Sequence, residues 1–286
     1  MEFKGTFRFL AGLAVLAVLA ADCIPASAAD LASGPSLDRG FLLLYNLDFD
    51  HAHQEFSAWQ QRYPDDPMGP VGEAAGLLFS EFHRLGVLES QFYENDHAFQ
   101  ARKKLSPDPK VRDQFNAYLA QATTRAQTRL AKDAKDRDAL FAMTLAAGLN
   151  ADYAALIDKS NLSALHYTKE ATNWADQLLA IDPQCYDARL ATGISKYIIG
   201  SMAAPVRWML RLGGVSGDKK AGISELQMAA DRGRYLAPFA RILLAIAYVR
   251  DKDKPRAREI LASLQNEFPN NSLFPQEIAR LDGDAR

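Results

Sequence analysis

The sequence predicts an all-α fold in which antiparallel helix pairs repeat along the chain and stack into a superhelix. Sustained alternation of apolar and polar residues, which is typical of strands, is nearly absent. Apolar residues instead recur at steps of three and four, with abundant Ala and Leu, as in amphipathic helices. Small and bulky residues also recur at one spacing in separate parts of the chain, which indicates an internal repeat.

The repeat follows the 34-residue helix–turn–helix pattern of tetratricopeptide repeats. Small residues at places 8 and 20 let the two helices approach, bulkier residues at places 24 and 27 fill the space between them, and a proline at place 32 ends the second helix. Three units match: Gly40, Ala52, Phe56, Trp59 and Pro64; Ala171, Ala175, Leu178 and Pro183 followed by Gly193; and Ala245, Ala257, Leu261, Leu264 and Pro269. A fourth, degenerate unit contains Ala122 and Ala126.

Element by element, the pattern predicts about five helix pairs and a covering helix. The predicted pairs are 37–46 with 50–62, 68–85 with 111–132, 138–151 with 163–181, 186–200 with 218–231, and 236–250 with 254–268. A last helix over 274–281 would cover the apolar end of the stack, as repeat folds require. Insertions at 86–110 and 201–217 interrupt the register, and we expect the first to be partly helical.

The beginning of the chain has the pattern of a secretory signal peptide. Lys4 and Arg8 precede an uncharged run over 9–21, which is shorter than the ~20 residues that a membrane-spanning helix needs. Ala26 and Ala28 take the −3 and −1 places of a cleavage site. We therefore predict a signal peptide over 1–28, a linker over 29–35 and a helical-repeat domain over 36–286.

Cleavage after Ala28 predicts a mature chain that begins at Ala29 and is periplasmic or otherwise exported. Cys23 raises lipoprotein processing as an alternative, although Asp22 immediately before it departs from that pattern. Removal of Cys23 leaves only Cys185, so no disulfide can form within the mature chain.

Composition and motifs argue against several function classes. Lys and Arg total 33 against 35 Asp and Glu, so no basic excess exists for nucleic-acid binding. The paired candidates for metal binding are Glu94 with His97, His166 with Glu170, and His51 with His53. Because a di-metal site in a helical bundle needs two Glu-x-x-His pairs, we read these residues as solvated helix faces. We expect no cofactor, no metal site and no enzyme activity.

Two further motifs invite a catalytic interpretation. Cys185 follows Pro183 in a turn between helices, and no motif supplies a base to activate it. The glycine-rich run over 213–217 lacks both a preceding strand and the Lys-Ser/Thr ending of a phosphate-binding loop. We therefore interpret Cys185 as a packed turn residue and 213–217 as a connection between helices.

The concave face of the predicted superhelix is apolar throughout. Places 5 and 9 of each first helix line this face, and they hold Leu37, Phe41, Val71, Ala75, Phe141, Leu145, Leu190, Ile194, Ile242 and Ile246. Tetratricopeptide proteins that grip a terminal carboxylate have Lys and Asn there instead. Either the insertions of the chain itself fill a tight groove, or the groove takes a hydrophobic helix or strand from a partner.

Four stretches of the second half resemble bacterial cell-envelope tetratricopeptide-repeat proteins: 186–193 (YDARLATG), 205–213 (PVRWMLRLG), 217–222 (GDKKAG) and 223–233. The opening 45–52 (YNLDFDHA) is similar to the first repeat of the same group. The resemblance extends more distantly to the eukaryotic family that includes the fungal inclusion-body clearance protein. It implies a non-catalytic scaffold that binds other macromolecules, without shared catalytic residues.

The expected function is therefore protein–protein interaction in the bacterial cell envelope, with a partner that the sequence does not identify. The alternative is a peripheral membrane or lipid-binding protein. Its basis is the segment 207–212, in which Arg207, Trp208 and Arg211 combine basic and interfacial aromatic side chains with apolar neighbours. The competing structural interpretation is that this segment packs across the fourth and fifth repeats.

Overall fold

A computed structural model describes residues 34–88, 105–212 and 216–283. The chain divides into two units, residues 1–34 and Pro35–Arg286, and all of the described residues except Gly34 belong to the second. Within the described residues the regular secondary structure is entirely helical. The helices are α1 (Leu37–Tyr45), α2 (Phe49–Arg62), α3 (Met68–Arg84), α4 (Pro109–Lys132), α5 (Arg137–Asp152), α6 (Asn161–Ile181), α7 (Ala188–Ser201), α8 (Ala204–Leu212), α9 (Lys219–Arg232), α10 (Ala237–Arg250), α11 (Lys254–Glu267) and α12 (Leu273–Gly283).

The predicted helix pairs are confirmed. Helix α1 pairs with α2, α3 with α4, α5 with α6, α7 with α9, and α10 with α11. Helix α12 packs on α11 and buries Phe274 and Leu281, which confirms the covering helix. The fold is thus an all-α, tetratricopeptide-like stack of helix pairs. Residues 89–104, most of the first insertion, lie outside the described residues, and 105–108 precede α4 without regular structure.

Local sequence explains where several of the helices begin and end. Aspartates at N-caps accept hydrogen bonds from the first turns of five helices: Asp48 (α2), Asp108 (α4), Asp136 (α5), Asp218 (α9) and Asp253 (α11). Prolines Pro64, Pro183 and Pro269 stand two residues beyond the ends of α2, α6 and α11. Proline cannot donate the backbone hydrogen bond that would extend a helix, so these positions stop it.

The small residues of the repeat are required by close helix contacts. A Cβ atom added at Gly40 would lie 2.5 Å from Cε1 of Phe56, and one at Gly72 would also collide with the Phe56 ring. Phe56 therefore occupies a space that two glycines leave open, one on α1 and one on α3. Phe56 is completely buried and joins the first repeat to the second.

The first repeat also contacts the last one. The Arg234 guanidinium donates two hydrogen bonds of 2.7 Å to the Asp38 carboxylate, across 196 residues of sequence. Tyr45 Oη donates to the Tyr235 carbonyl at 2.9 Å, and Asn271 Nδ2 donates to the Tyr45 carbonyl at 2.8 Å. The stack therefore closes upon itself, and α1 lies against the turns that precede α10 and α12.

Helix α5 is a largely buried, apolar helix of the core. With the π-helical turn Tyr153–Ile157 it forms a stretch, Arg137–Ile157, that is long and apolar enough to cross a membrane by length and composition alone. However, 61% of its most apolar window is buried inside the protein. It packs against α3, α4, α6 and α7, which is the position of a central core helix.

Candidate binding surfaces

The ten predicted concave-face residues lie in or beside the core. Leu37, Phe41, Val71, Ala75, Phe141 and Leu190 are buried, and Leu145, Ile194, Ile242 and Ile246 are half-buried. None of the ten is exposed. Contact of these residues with a partner stays a prediction. Most of the surface that a partner could reach on this face belongs to the four half-buried residues.

Tyr235, in the turn between α9 and α10, packs against this face. Its ring centroid lies 5.1 Å from that of Phe41 and 6.1 Å from that of Phe141, with the second pair stacked at 20°. Backbone hydrogen bonds to Asp187 hold the turn in place: the amides of Arg234, Tyr235 and Leu236 all donate to its carboxylate. The chain thus fills this part of the face with a turn between repeats rather than with an insertion.

Helix α8 lies at the surface with no buried residue. The exposed fractions are 67% for Trp208, 62% for Met209 and 72% for Leu212. The Arg207 guanidinium donates to the Gly200 carbonyl at 3.2 Å, which ties α8 to the end of α7. The structural interpretation that packed this segment across the fourth and fifth repeats is therefore wrong. Its apolar side chains face solvent instead.

The side chains of α8 separate into two faces. Arg207 and Arg211 are four residues apart and share one face. Val206, Trp208, Met209 and Leu212 lie outside that basic stripe, and each is at least 40% exposed. Ile198 on α7, 47% exposed, is a further accessible apolar side chain in the same part of the chain. Together Arg207, Arg211 and the four apolar residues of α8 form the α8 surface.

A second candidate is a cleft of about 270 Å³ among α2, α3 and α4, which we name the Glu73 cleft. Its polar lining comprises Asp50, His53, Glu73, Ser80, Gln114 and Tyr118, and its apolar lining is Phe49, Phe56, Gly76 and Leu77. The Glu73 side chain is only 3% exposed, whereas that of His53 is 59% exposed. His53 Nδ1 lies 2.5 Å from Glu73 Oε2, and Gln60 Nε2 donates to Glu73 Oε1 at 3.4 Å.

A second buried carboxylate on α3, that of Glu81, has different hydrogen-bond partners from Glu73. Glu81 accepts two hydrogen bonds from the Arg84 guanidinium, at 2.7 and 2.6 Å, and one from the Asp108 amide at 2.7 Å. The arginine hydrogen bonds hold the pKa of Glu81 below its ordinary value. At Glu73, burial raises the pKa, although the His53 hydrogen bond acts in the opposite direction. Glu81 forms a structural ion pair with Arg84. At Glu73, by contrast, the His53 hydrogen bond does not fully offset the cost of burying the carboxylate.

Sequence reasoning missed Glu73. It is the only charged residue between Met68 and Ser80, in a run of small and apolar residues. An isolated carboxylate on an otherwise apolar helix is the signal that could have identified it. The rest of the cleft could not be found in this way, because Gln114 and Tyr118 lie about 40 residues further along the chain, on α4.

The other predicted candidates that the structure describes lie outside the Glu73 cleft. His51 Nδ1 lies 2.8 Å from Asp48 Oδ1 at the start of α2, and His166 is an exposed residue of α6. Cys185 is half-buried, and burial raises the pKa of its thiol, which disfavours a reactive thiolate. Glu94, His97 and residues 213–215 lie outside the described residues. In the part of the chain that the structure describes, no group of three or more His, Cys, Asp or Glu residues is arranged to hold a metal ion.

Among known proteins, similarity to the chain is found in a solved structure. No protein-family model and no curated protein matches the chain. The chain is similar to a thermophilic tetratricopeptide-repeat protein of Thermus thermophilus, with 15% sequence identity and a TM-score of 0.44. The alignment covers 85% of this chain and 95% of that chain. A similarity of this size assigns no ligand and no partner, and the resemblance to the envelope group and to the fungal clearance family stays a prediction.

Proposed function

We propose that the chain is an exported, non-catalytic scaffold that binds a protein partner in the cell envelope. The observation that carries the proposal is the α8 surface, which leaves Trp208, Met209 and Leu212 more than 60% exposed. Clustered apolar side chains of this kind on a soluble domain generally mark a contact site. An aromatic residue at the centre of such a patch is the usual source of binding energy.

The chemistry of α8 suits a helix that docks into a groove on the partner. One face of such a helix enters an apolar groove, while its charged residues contact the rim. Arg207 and Arg211 make the rim of this surface basic, so a partner with acidic residues beside its groove would fit best.

The test replaces Trp208 and Met209 with serine in the full chain. No described residue of α8 is buried, so the melting temperature should stay unchanged. Cross-linking pull-down from an envelope fraction should lose the partner, with affinity reduced at least about tenfold. Leu162→Ser is the matched control, because Leu162 on α6 is 84% exposed and lies outside the α8 surface. Equal capture by the double variant and by the unaltered chain would contradict the proposal.

The same surface supports a second candidate function, contact with an anionic membrane. The pairing of two arginines with Trp208 is typical of helices that lie at the water–lipid interface. Nine residues of helix extend only about 14 Å, so α8 would lie along the membrane rather than cross it. Co-sedimentation with phosphatidylglycerol vesicles, compared with phosphatidylcholine vesicles, separates this function from protein binding.

Export is the part of the proposal that rests on residues 1–28. The charged start, the apolar run and the Ala26-x-Ala28 pattern support it. N-terminal sequencing of the protein from a periplasmic fraction should find Ala29 first. An intact Met1, or a lipid on Cys23, would contradict this assignment.

A further inference from the structure

The Glu73 cleft is a site of a different kind from the α8 surface, and its walls belong to the first two repeats. Its volume, about 270 Å³, is below the ~300–1,000 Å³ that is typical of pockets for drug-sized ligands. A group the size of one side chain therefore fits better than a nucleotide or a lipid.

The electrostatic character of the cleft is acidic. Glu73 and Asp50 line it, and none of the ten residues that form its walls is a Lys or an Arg. A carboxylate offers about four acceptor positions, and the described contacts of Glu73 are one with His53 and one with Gln60. Glu73 consequently has acceptor capacity left for a donor that enters the cleft.

Burial makes a cationic donor the most favourable one. A buried ionised carboxylate is costly unless a cation compensates it. The basic group that contacts Glu73 is the His53 imidazole, and no ammonium or guanidinium side chain lines the cleft. Three aromatic rings, those of Phe49, Phe56 and Tyr118, complete the walls. Aromatic faces attract alkylammonium and guanidinium groups in addition to the carboxylate.

We propose that the Glu73 cleft binds a small cationic nitrogen group, an alkylammonium or a guanidinium. Two sources share this chemistry: a free amine of low molecular weight, and a Lys or Arg side chain of a peptide. The inference stands on the cleft alone and does not depend on the α8 surface.

The experiment uses the full chain and n-butylammonium chloride as the probe, with 1-butanol as its neutral counterpart. Binding is followed by NMR of the His53 and Tyr118 rings at about pH 8. We expect the ammonium probe to shift both rings saturably and butanol to bind at least about tenfold more weakly. Glu73→Gln, which keeps the shape of the side chain, should lower the affinity for the ammonium probe at least about tenfold.

The matched control is Asp65→Asn, because Asp65 is an exposed acid beyond the end of α2 and outside the cleft. It should bind the probe as the unaltered chain does. A short peptide with a central Lys, compared with its norleucine analogue, then separates the two sources. If the Lys peptide binds at least about tenfold more tightly than butylammonium, the source is a protein side chain, and comparable affinities indicate a free amine.

Three results would overturn the proposal. Butanol could bind as tightly as the ammonium probe, Glu73→Gln could leave the affinity unchanged, or Ca²⁺ or Zn²⁺ alone could shift the two rings while butylammonium does not. The comparison of butanol with butylammonium needs no variant, so it decides the question even if Glu73→Gln fails to fold.

Discussion

At the scale of single residues, Asp187 shows how one buried carboxylate organises a junction between repeats. Its oxygens accept the Arg234 amide at 2.9 Å, the Tyr235 amide at 3.2 Å and the Leu236 amide at 2.9 Å. Leu236, the N-cap residue of α10, provides no side-chain cap of its own. Asp187, at the start of α7, instead holds the turn that leads into α10, and in doing so it places Tyr235 against Phe41.

Asp152, at the end of α5, provides a prediction of pH dependence. Burial raises the pKa of its carboxyl to about 7. An aspartate in the unfolded chain titrates near pH ~4, so the folded state binds more protons between about pH 4 and pH 7. The free energy of unfolding therefore falls as the pH rises through this window.

Asp152→Asn should remove this pH-dependent loss of stability. The variant should melt at a higher temperature than the unaltered chain at about pH 8, by about 2–4 °C for each kcal/mol recovered. The difference should shrink toward about pH 4, where the native carboxyl is protonated in the folded state and the penalty for burying its charge is gone. Thermal melts at the two pH values check this, and a constant difference between the two proteins would contradict it.

At the scale of elements, the α10–α11 pair depends on small residues where its helices are closest. Ala257 is completely buried, and Ala245 is 3% exposed in the same apolar cluster. This packing is what the repeat pattern predicts for places 8 and 20, and the buried Leu264 fills the adjoining space. The last repeat therefore buries the small residue at place 20, Ala257, as the first repeat buries Ala52.

Ala257→Leu should destabilise the domain, since there is no room for a larger side chain. Overpacking of a core typically costs about 1–3 kcal/mol, which corresponds to a fall in melting temperature of several degrees. Ala120→Leu, at an exposed position of α4, is the control and should change the melting temperature little. An unaltered melting temperature for Ala257→Leu would mean that the register of the last repeat is misassigned.

At the scale of the whole molecule, the contacts between the first and last repeats decide how much of the concave face is open. Phe41 is 5% exposed and Phe141 is 8% exposed, and both rings pack against Tyr235. The ion pair between Asp38 and Arg234 lies at the same closure. Substitutions on this face are consequently expected to change the stability of the fold before any effect on binding can be measured.

Phe41→Asp and Phe141→Asp should each abolish the cooperative thermal transition, because they place a charge in the core. Leu42→Asp is the matched control: Leu42 follows Phe41 on α1 but is 48% exposed, so the fold should persist. Circular dichroism melts distinguish these outcomes. Retention of helix and of melting temperature in both phenylalanine variants would instead show that the face is an open groove.

The sequence by itself determined the helix pairs, their order and most of their boundaries. These features depend on local causes: apolar spacing along each helix, aspartates at N-caps, and small residues at fixed places such as Gly40 and Ala257. Each cause acts within one helix or one helix pair, so it does not depend on how the repeats stack.

Only the tertiary structure decided the closure of the stack, the course of α8 and the Glu73 cleft. The bonds that close the stack join residues 196 and 226 positions apart, and they depend on the summed rotation of all intervening repeats. The same pattern of apolar and basic residues in 204–212 suits a packed helix and an exposed one, so composition could not choose between them. Glu73 and Tyr118 line one cleft because α3 and α4 pack side by side, and the predicted pairing of these helices did not fix which of their side chains would lie together.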